Sequence, residues 1–337
     1  MNVKLHPYQL QLKHTFTISR ESHDIQPTLI VELEKNGISG FGEATSNKYY
    51  GVTVEGMSEK IKNVQPILSA MKWEHPSEFE AGLQQIFPND PFIRCALDIA
   101  ANDLWARTQN LPLYAAWGLS LHQYLPISNY TIGIDSIPKM LAKMQEIPYP
   151  LYKIKLGTRD DLAIVKALRE HTDAVFRVDA NCAWGVEETI ANARVLKDLG
   201  VEFIEQPLPA EQIHLMPQVY EKSALPLAAD ESCRIENDVP TCAGKFHIIN
   251  IKLVKCGGLT PARRMIATAK ALGMKVMVGC MTESSVGISA IAQLLPLLDY
   301  VDMDGALLLS NDPATGVVIQ DGKVFFPTLA GTGVRLK

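Results

Sequence analysis

Seven short apolar runs in the second half of the chain each end on a residue able to do chemistry: Lys155, Asp179, Glu205, Asp230, Lys252, Cys280 and Asp302. They follow one another at steps of 24, 26, 25, 22, 28 and 22 residues. If each run is a strand of one closed parallel sheet, these residues converge on one mouth, where the active sites of such barrels lie. Asp179, Glu205 and Asp230 then neighbour one another on a single arc. Three carboxylates aimed at one point repel unless a cation sits among them. Oxygen ligands without accompanying His or Cys select a hard ion such as Mg2+ over Zn2+. Any one of the three, taken alone, is as well explained as a solvated or salt-bridged strand-end acid.

Lys155 and Lys252 end the second and sixth strands of eight on this count, which puts them on opposite sides of the mouth with the acidic arc between. The two-residue period of a strand turns Lys153 to the same face as Lys155 and Ile154 away from it. Crowded ammonium groups disfavour one another's charge, so a lysine held this way is expected to lose basicity and to serve as a base near neutral pH. Pairing with the carboxylates is the plainer role, above all for Lys153. Lys255 has the opposite parity to Lys252 and reads as a loop charge. A cation held by the acids can take a substrate carboxylate and stabilise the enediolate formed when the neighbouring Cα proton leaves. One lysine would take that proton from one face and the other deliver a proton to the opposite face, inverting the centre. A base on one side only would suit elimination. At the eighth strand Asp302 and Asp304 flank Met303 and share a face, either as solvated acids or as a holder for a cationic group such as a free α-ammonium.

The elements that must position these residues are legible in outline. A chain of 337 residues with 47% hydrophobic and 20% charged residues can bury a large core. VKLHPYQLQL and PTLIVELEKNG read as strands, the second turning at Asn36-Gly37 into a third, ISGFGEA. From Val54 to about Asn110 the apolar period becomes helical, notably in FIRCALDIAANDLWARTQN behind Pro91. After Pro126 short β-branched runs alternate with helical stretches, among them EETIANARVLKDLG and PARRMIATAKALG, stopped by Gly200 and Gly273. One step back from Lys155 falls near Thr131 in PISNYTIGI and completes eight strands. Near-equal units without a G-x-G-x-x-G turn favour closure over an open doubly wound sheet. The expected organisation is an α/β chain: an α+β capping domain over residues 1–115, a barrel over 116–320, and a segment 321–337 that returns to the cap. A net charge of −5 offers no basic stripe for nucleic acid. The most apolar run, Ile288 to Leu298, is too short to span a membrane and is interrupted by Gln293 and Pro296. No signal peptide is evident at the start, and six scattered cysteines without a C-x-x-C pair read as reduced thiols of a cytoplasmic protein.

At these residues the chain resembles the enolase superfamily, in its muconate-lactonizing subgroup. The stretches that carry the likeness are CALDIAANDLWARTQNLPLYAAWG, KIK at 153–155, DAN at 179–181, EQP at 205–207, DES at 230–232 and NIKLVKCGG at 250–258. The resemblance implies a modified TIM barrel, (β/α)7β, under a cap built from both chain ends. It also implies Lys155 and Lys252 as the acid/base pair and Asp179, Glu205 and Asp230 as Mg2+ ligands. The related racemase branch would place a catalytic histidine near strand seven, where KVMVGCMTE has none. His247 lies at the wrong end of the barrel and reads as structural. VDMDG and GCMTESS resemble the dipeptide epimerases, in which the D-x-D pair holds the dipeptide's ammonium. That likeness assigns Asp302 and Asp304 to the substrate, with Thr131, Lys153 and Cys280 to Thr282 also lining its site. The cap loop from His14 to Ile25 would close over the ligand, with Arg20 placed for an acidic side chain. The expected activity is an L/D epimerisation of small Ala-containing dipeptides at the C-terminal residue, with the other side chain small and apolar or acidic. Alternatives are o-succinylbenzoate synthase or a cycloisomerase on the same scaffold, a metallohydrolase barrel, which would want histidine ligands where Asn129-Tyr130-Thr131 stands, and a non-catalytic ligand-binding barrel. The small-molecule dipeptide is the expected partner; the oligomeric state, a homo-oligomer included, is left open.

Overall fold

In the computed structural model, which describes residues 1–17 and 22–337, the first three strands form an antiparallel sheet in the order β1 (Asn2–Thr17), β2 (Ser22–Lys35), β3 (Ile38–Thr45). Asn36 and Gly37 both adopt positive φ, 54° and 77°, as the two-residue turn between β2 and β3 requires. β1 and β2 run further than the sequence suggested. Of the expected loop from His14 to Ile25, residues 14–17 and 22–25 belong instead to the two strands of this hairpin, with Phe16 paired to His23 and Thr17 to Ser22. The alternation of Thr15, Phe16 and Thr17 suits a strand, and the chain extends over the barrel, where Ile134 N–H donates to Thr17 O at 2.9 Å. Arg20 lies outside the described residues.

Helix Pro91–Thr108 is buried over most of its length, with Asp98, Asn102 and Asp103 among its buried residues. It lies directly on β3 because Gly40 and Gly42 present no side chain: a methyl group at either would collide with the backbone of Ala96, Ala100 or Leu104. The end of the chain is tied to the same helix. Thr332 N–H donates to Asp103 Oδ1 at 2.6 Å and Arg107 Nη2 to Val334 O at 2.6 Å.

Eight parallel strands follow in sequential order: β4 (Tyr130–Ile132), β5 (Leu151–Lys155), β6 (Val175–Asp179), β7 (Val201–Glu205), β8 (Leu227–Ala229), β9 (Ile248–Ile251), β10 (Lys275–Gly279) and β11 (Tyr300–Asp302). A parallel bridge between Ser128 and Val301 brings the last strand back to the first. Helices separate successive strands, and only a 3-10 turn, Gly305–Leu308, follows β11 directly, giving the (β/α)7β pattern. Gly200 and Gly273 take positive φ just beyond the helices they were expected to stop. The strand-end residues fall where the repeat put them. Lys155, Asp179, Glu205 and Asp302 close their strands, while Asp230, Lys252 and Cys280 stand one residue beyond. Lys155 is in register with Asp179 and Asp179 with Glu205, so three reactive ends lie at one level of the wall. Among the described residues no helix is long and apolar enough to cross a membrane.

Candidate active site

The carboxylates of Asp179, Glu205 and Asp230 each offer an oxygen within 4.8 Å of the others, and all three residues are buried. Asp179 Oδ1 accepts the Asn181 N–H at 2.9 Å, and Glu205 Oε1 accepts from Asn250 Nδ2 at 2.8 Å. Glu205 Oε2 faces Lys153 Nζ at 2.8 Å outside hydrogen-bond geometry, and it has no hydrogen-bond partner among the described residues. Burial, and then the charge of Asp179, push the Glu205 carboxyl up to about 7 against the pull of Lys153. Three convergent buried carboxylates with one oxygen left over suit a hard divalent cation: the donor set is all oxygen, and added positive charge would relieve the repulsion that raises Glu205.

The lysines stand around this arc. Lys155 Nζ donates to Asp179 Oδ2 at 2.6 Å and Lys252 Nζ to Asp230 Oδ2 at 2.7 Å. The two amines, four strands apart, therefore meet the acidic cluster from different sides. Lys153 shares the Lys155 face, as the strand period requires, and donates to Asp302 Oδ2 at 2.8 Å while standing 3.3 Å from Asp179. The expected loss of basicity does not occur at Lys153, one of the crowded pair. Burial does act against the charge of Lys252 and Lys153. However, Asp230 beside the former, and Asp302 and Glu205 beside the latter, outweigh it and hold both ammonium groups protonated. Lys155 and then Lys153 keep Asp179 down at about 2, and Lys252 and Lys255 hold Asp230 well below the usual carboxylate range, in spite of burial.

Lys255 is not a loop charge. It is 2% exposed, and its Nζ donates to Asp230 O and Oδ1, both at 2.5 Å, and to Cys233 O at 3.1 Å. Helix Leu253–Cys256 starts immediately after Lys252, so the helical period, which brings residues three apart together, replaces the strand parity used to dismiss it. Lys255→Met should cost about 1–3 kcal/mol of unfolding free energy, because it removes one of the two ammonium partners of buried Asp230 and leaves the acceptors it served without a donor. Urea unfolding measures this, and a loss below about 1 kcal/mol would refute the buried pairing.

Asp302 and Asp304 share one face with Cys280, and the three offer ligand atoms within 4.8 Å of one another. Asn129 Nδ2 donates to Asp302 Oδ1 at 2.8 Å, and Thr131 N–H donates to Asp304 Oδ2 at 2.5 Å. Asp304 Oδ1 faces Cys280 Sγ at 3.9 Å. The neighbouring acids behave differently. Lys153 overcomes burial to hold Asp302 low, whereas burial and the Asp302 charge raise Asp304 to about 7. One cavity of about 460 Å3 is lined by Thr131, Lys153, Lys155, Asp230, Lys252, Cys280, Thr282, Asp302 and Asp304 from the barrel and by Phe16, His23 and residues 45–50 from the cap. Asp179 and Glu205 lie fully buried beneath it. Asn129 and Asn250 are supporting residues that the sequence reading passed over, and Lys255 is one it read as a loop charge. The two asparagines precede Thr131 and Lys252 by two positions, a parity signal that could have found them. His247 is structural, accepting the Leu227 N–H at 3.1 Å and stacking on Tyr220 at 4.1 Å.

Comparison with known proteins places this geometry among relatives. Residues 1–118 match the mandelate racemase / muconate lactonizing enzyme N-terminal domain and residues 139–337 the enolase C-terminal domain-like family. The chain is 58% identical over 336 residues to an L-Ala-D/L-amino acid epimerase of Flavobacterium johnsoniae, covering 100% of each. It is 38% identical over 340 residues to an L-Ala-D/L-Glu epimerase of Bacteroides thetaiotaomicron, covering 99% of this chain and 88% of the relative. A dipeptide epimerase from Cytophaga hutchinsonii, solved with Mg and the dipeptide D-Ala-L-Val, superposes with a TM-score of 0.94 at 27% identity, covering 99% of this chain and 95% of that one.

Proposed function

The chain belongs to the mandelate racemase/muconate lactonizing enzyme family of the enolase superfamily, and we propose that it is a dipeptide epimerase inverting the Cα of the C-terminal residue of an Ala-containing dipeptide. The observation that carries this reading is the pair of amines, Lys155 and Lys252, meeting a three-carboxylate cluster from strands four apart. Asp179, Glu205 and Asp230 would hold the cation, and the Mg in the solved Cytophaga relative supports that choice. A divalent ion there supplies charge to offset the second negative charge on the substrate carboxylate as the Cα proton leaves, and it draws off carboxylate charge that otherwise keeps Lys252 protonated.

The chain's own residues supply the rest. One of Lys155 and Lys252 takes the Cα proton onto Nζ from its face, and the other gives its Nζ proton from the opposite face. Because the ionised carboxylate must adjoin the inverted carbon, the C-terminal residue is the one that reacts. Asp302 and Asp304 take the dipeptide's ammonium, with Lys153 balancing Asp302 so that the pair does not carry two uncompensated charges. Phe16, Tyr50, Met281 and Leu308 bring apolar surface to the cavity and Lys48 a cation, which supports a small apolar or acidic second side chain.

A panel of L-Ala-X dipeptides in deuterium oxide with Mg2+, scored by mass for Cα exchange and by chirality for inversion, tests the reading. Loss of water, or no exchange with any member, would defeat it. The Asp304 environment adds a pH signature. With its carboxyl at about 7 in the free protein, acid below that value leaves it neutral and unable to balance an ammonium. KM should therefore rise as pH falls from 7.5 to 6. Asp304→Asn should remove that dependence and raise KM about tenfold or more at pH 8, the loss expected of one charge-assisted bond. An unchanged slope in the variant would remove Asp304 from ammonium binding.

A further inference from the structure

Behind the cavity wall formed by residues 280–282 lies a buried carboxylate that the proposed reaction does not use. Glu43, on β3, is 1% exposed and does not border the cavity. Its Oε1 accepts from Thr28 Oγ1 at 2.8 Å and from Ser284 N–H at 3.1 Å. Its Oε2 accepts from Ser284 Oγ at 2.6 Å and from Gly287 N–H at 2.9 Å. Three of these four donors belong to the turn that begins barrel helix Ser285–Ala292, more than 240 residues further along the chain. Ser284 is itself the helix N-cap and accepts the Val286 N–H at 3.1 Å.

The position of this junction matters for what lies on either side. Thr45, Ser46 and Asn47 follow Glu43 along the cap and line the cavity; Cys280, Met281 and Thr282 precede Ser284 and line it from the barrel. Asn47 Nδ2 approaches Met281 Sδ at 4.0 Å between the two walls. The segment is also held from behind. Glu283, 4% exposed, accepts the Met281 N–H at 3.0 Å, and its carboxylate fills the space a side chain at Gly287 would need. The Ser284 N–H on one oxygen and the Gly287 N–H on the other can only donate, so both oxygens of residue 43 must accept. A carboxylate does so; an amide would turn its own N–H bonds on one of them.

We propose that Glu43 is a positioning residue for substrate recognition: by holding the Ser284 turn it fixes the Met281–Thr282 wall against the Thr45–Asn47 wall and sets the width of the dipeptide's cavity. The occupant rests on the epimerase reading; the hold on the wall does not. Because Glu43 is removed from the reacting atoms, displacing the wall weakens substrate and transition state alike. That raises KM and leaves kcat in place.

Glu43→Gln is compared with wild type by steady-state kinetics on L-Ala-L-Val and L-Ala-L-Glu, and by amide hydrogen exchange over residues 280–287 without substrate. The expected result is a KM raised about tenfold with kcat within about twofold, and exchange over 280–287 faster by about tenfold while the β5–β7 strands are unchanged. Should Glu43→Gln fail to fold, Thr28→Val, which removes one of the four bonds and leaves the Ser284 helix cap intact, should give the same pattern at about twofold to threefold. A lower melting temperature with KM unaltered, a fall in kcat at constant KM, or unchanged exchange over 280–287 would each overturn the proposal. If wild type turns over no dipeptide, the function reading fails by itself, and the exchange measurement alone decides whether Glu43 holds the wall.

Discussion

Lys155→Ala and Lys252→Ala should each slow inversion by about 10³- to 10⁴-fold, near the upper range for a general acid or base. Two-base inversion needs one amine to remove the proton and another, on the opposite face, to return one, so losing either stops the reaction in both directions. The remaining amine still faces one stereoisomer. Supplied with that isomer in deuterium oxide, the variant should exchange the Cα proton and return the same isomer; supplied with the other, it should do nothing. The two variants should show opposite preferences when given the L,L and L,D dipeptides. Each lysine is also the ammonium partner of a carboxylate, Asp179 or Asp230, so folding and Mg2+ affinity must be measured beside the rate. A general loss of structure would abolish exchange of both isomers in both variants. Full racemisation by either variant would dismiss the two-base assignment outright.

The carboxylate and lysine positions were legible because a parallel barrel repeats its strand ends at near-constant spacing, and a residue of chemical use there interrupts an apolar run. The same two-residue period correctly turned Lys153 inward. That period fails where a strand gives way to a helix within one residue, and this is why Lys255 was misplaced: its position is set by the turn of Leu253–Cys256, not by the pleat of β9. The charge state of the lysines was illegible for a different reason. Crowding of like charges could be read from spacing, but the balance depends on distances to Asp230, Asp302 and Glu205 that only the closed barrel fixes. Residues 14–17 and 22–25, expected within a loop over the mouth, are strand because pairing of Phe16 with His23 extends the hairpin. Glu43 offers no signal at all in a single sequence, since its partners at Ser284 and Gly287 come from the other end of the chain.

Glu205→Gln should separate metal binding from folding. In wild type, Mg2+ at about a hundredfold over its Kd should raise the unfolding free energy by about 2.7 kcal/mol, and removal by a chelator should cancel the gain. Glu205 is the proposed ligand whose Oε2 has no hydrogen-bond partner among the described residues, so losing its charge would remove both a donor to the ion and a source of repulsion. An amide can be accommodated: Asn250 Oδ1 also has no hydrogen-bond partner among the described residues. Rotating the Asn250 side-chain amide would let that oxygen accept from the NH2 of the substituted side chain, whose carbonyl then turns to Lys153. Metal-free Glu205→Gln should therefore be as stable as metal-free wild type or more so, against the usual cost of a buried substitution. Its Mg2+-dependent gain should fall below about 0.5 kcal/mol, and turnover at limiting Mg2+ should drop by at least about a hundredfold. Thermal unfolding across a Mg2+ titration reads both stability effects in one experiment. If the variant keeps the wild-type response to Mg2+, the ion does not sit among these three carboxylates. If it loses stability equally with and without Mg2+, Glu205 serves the fold and not the ion.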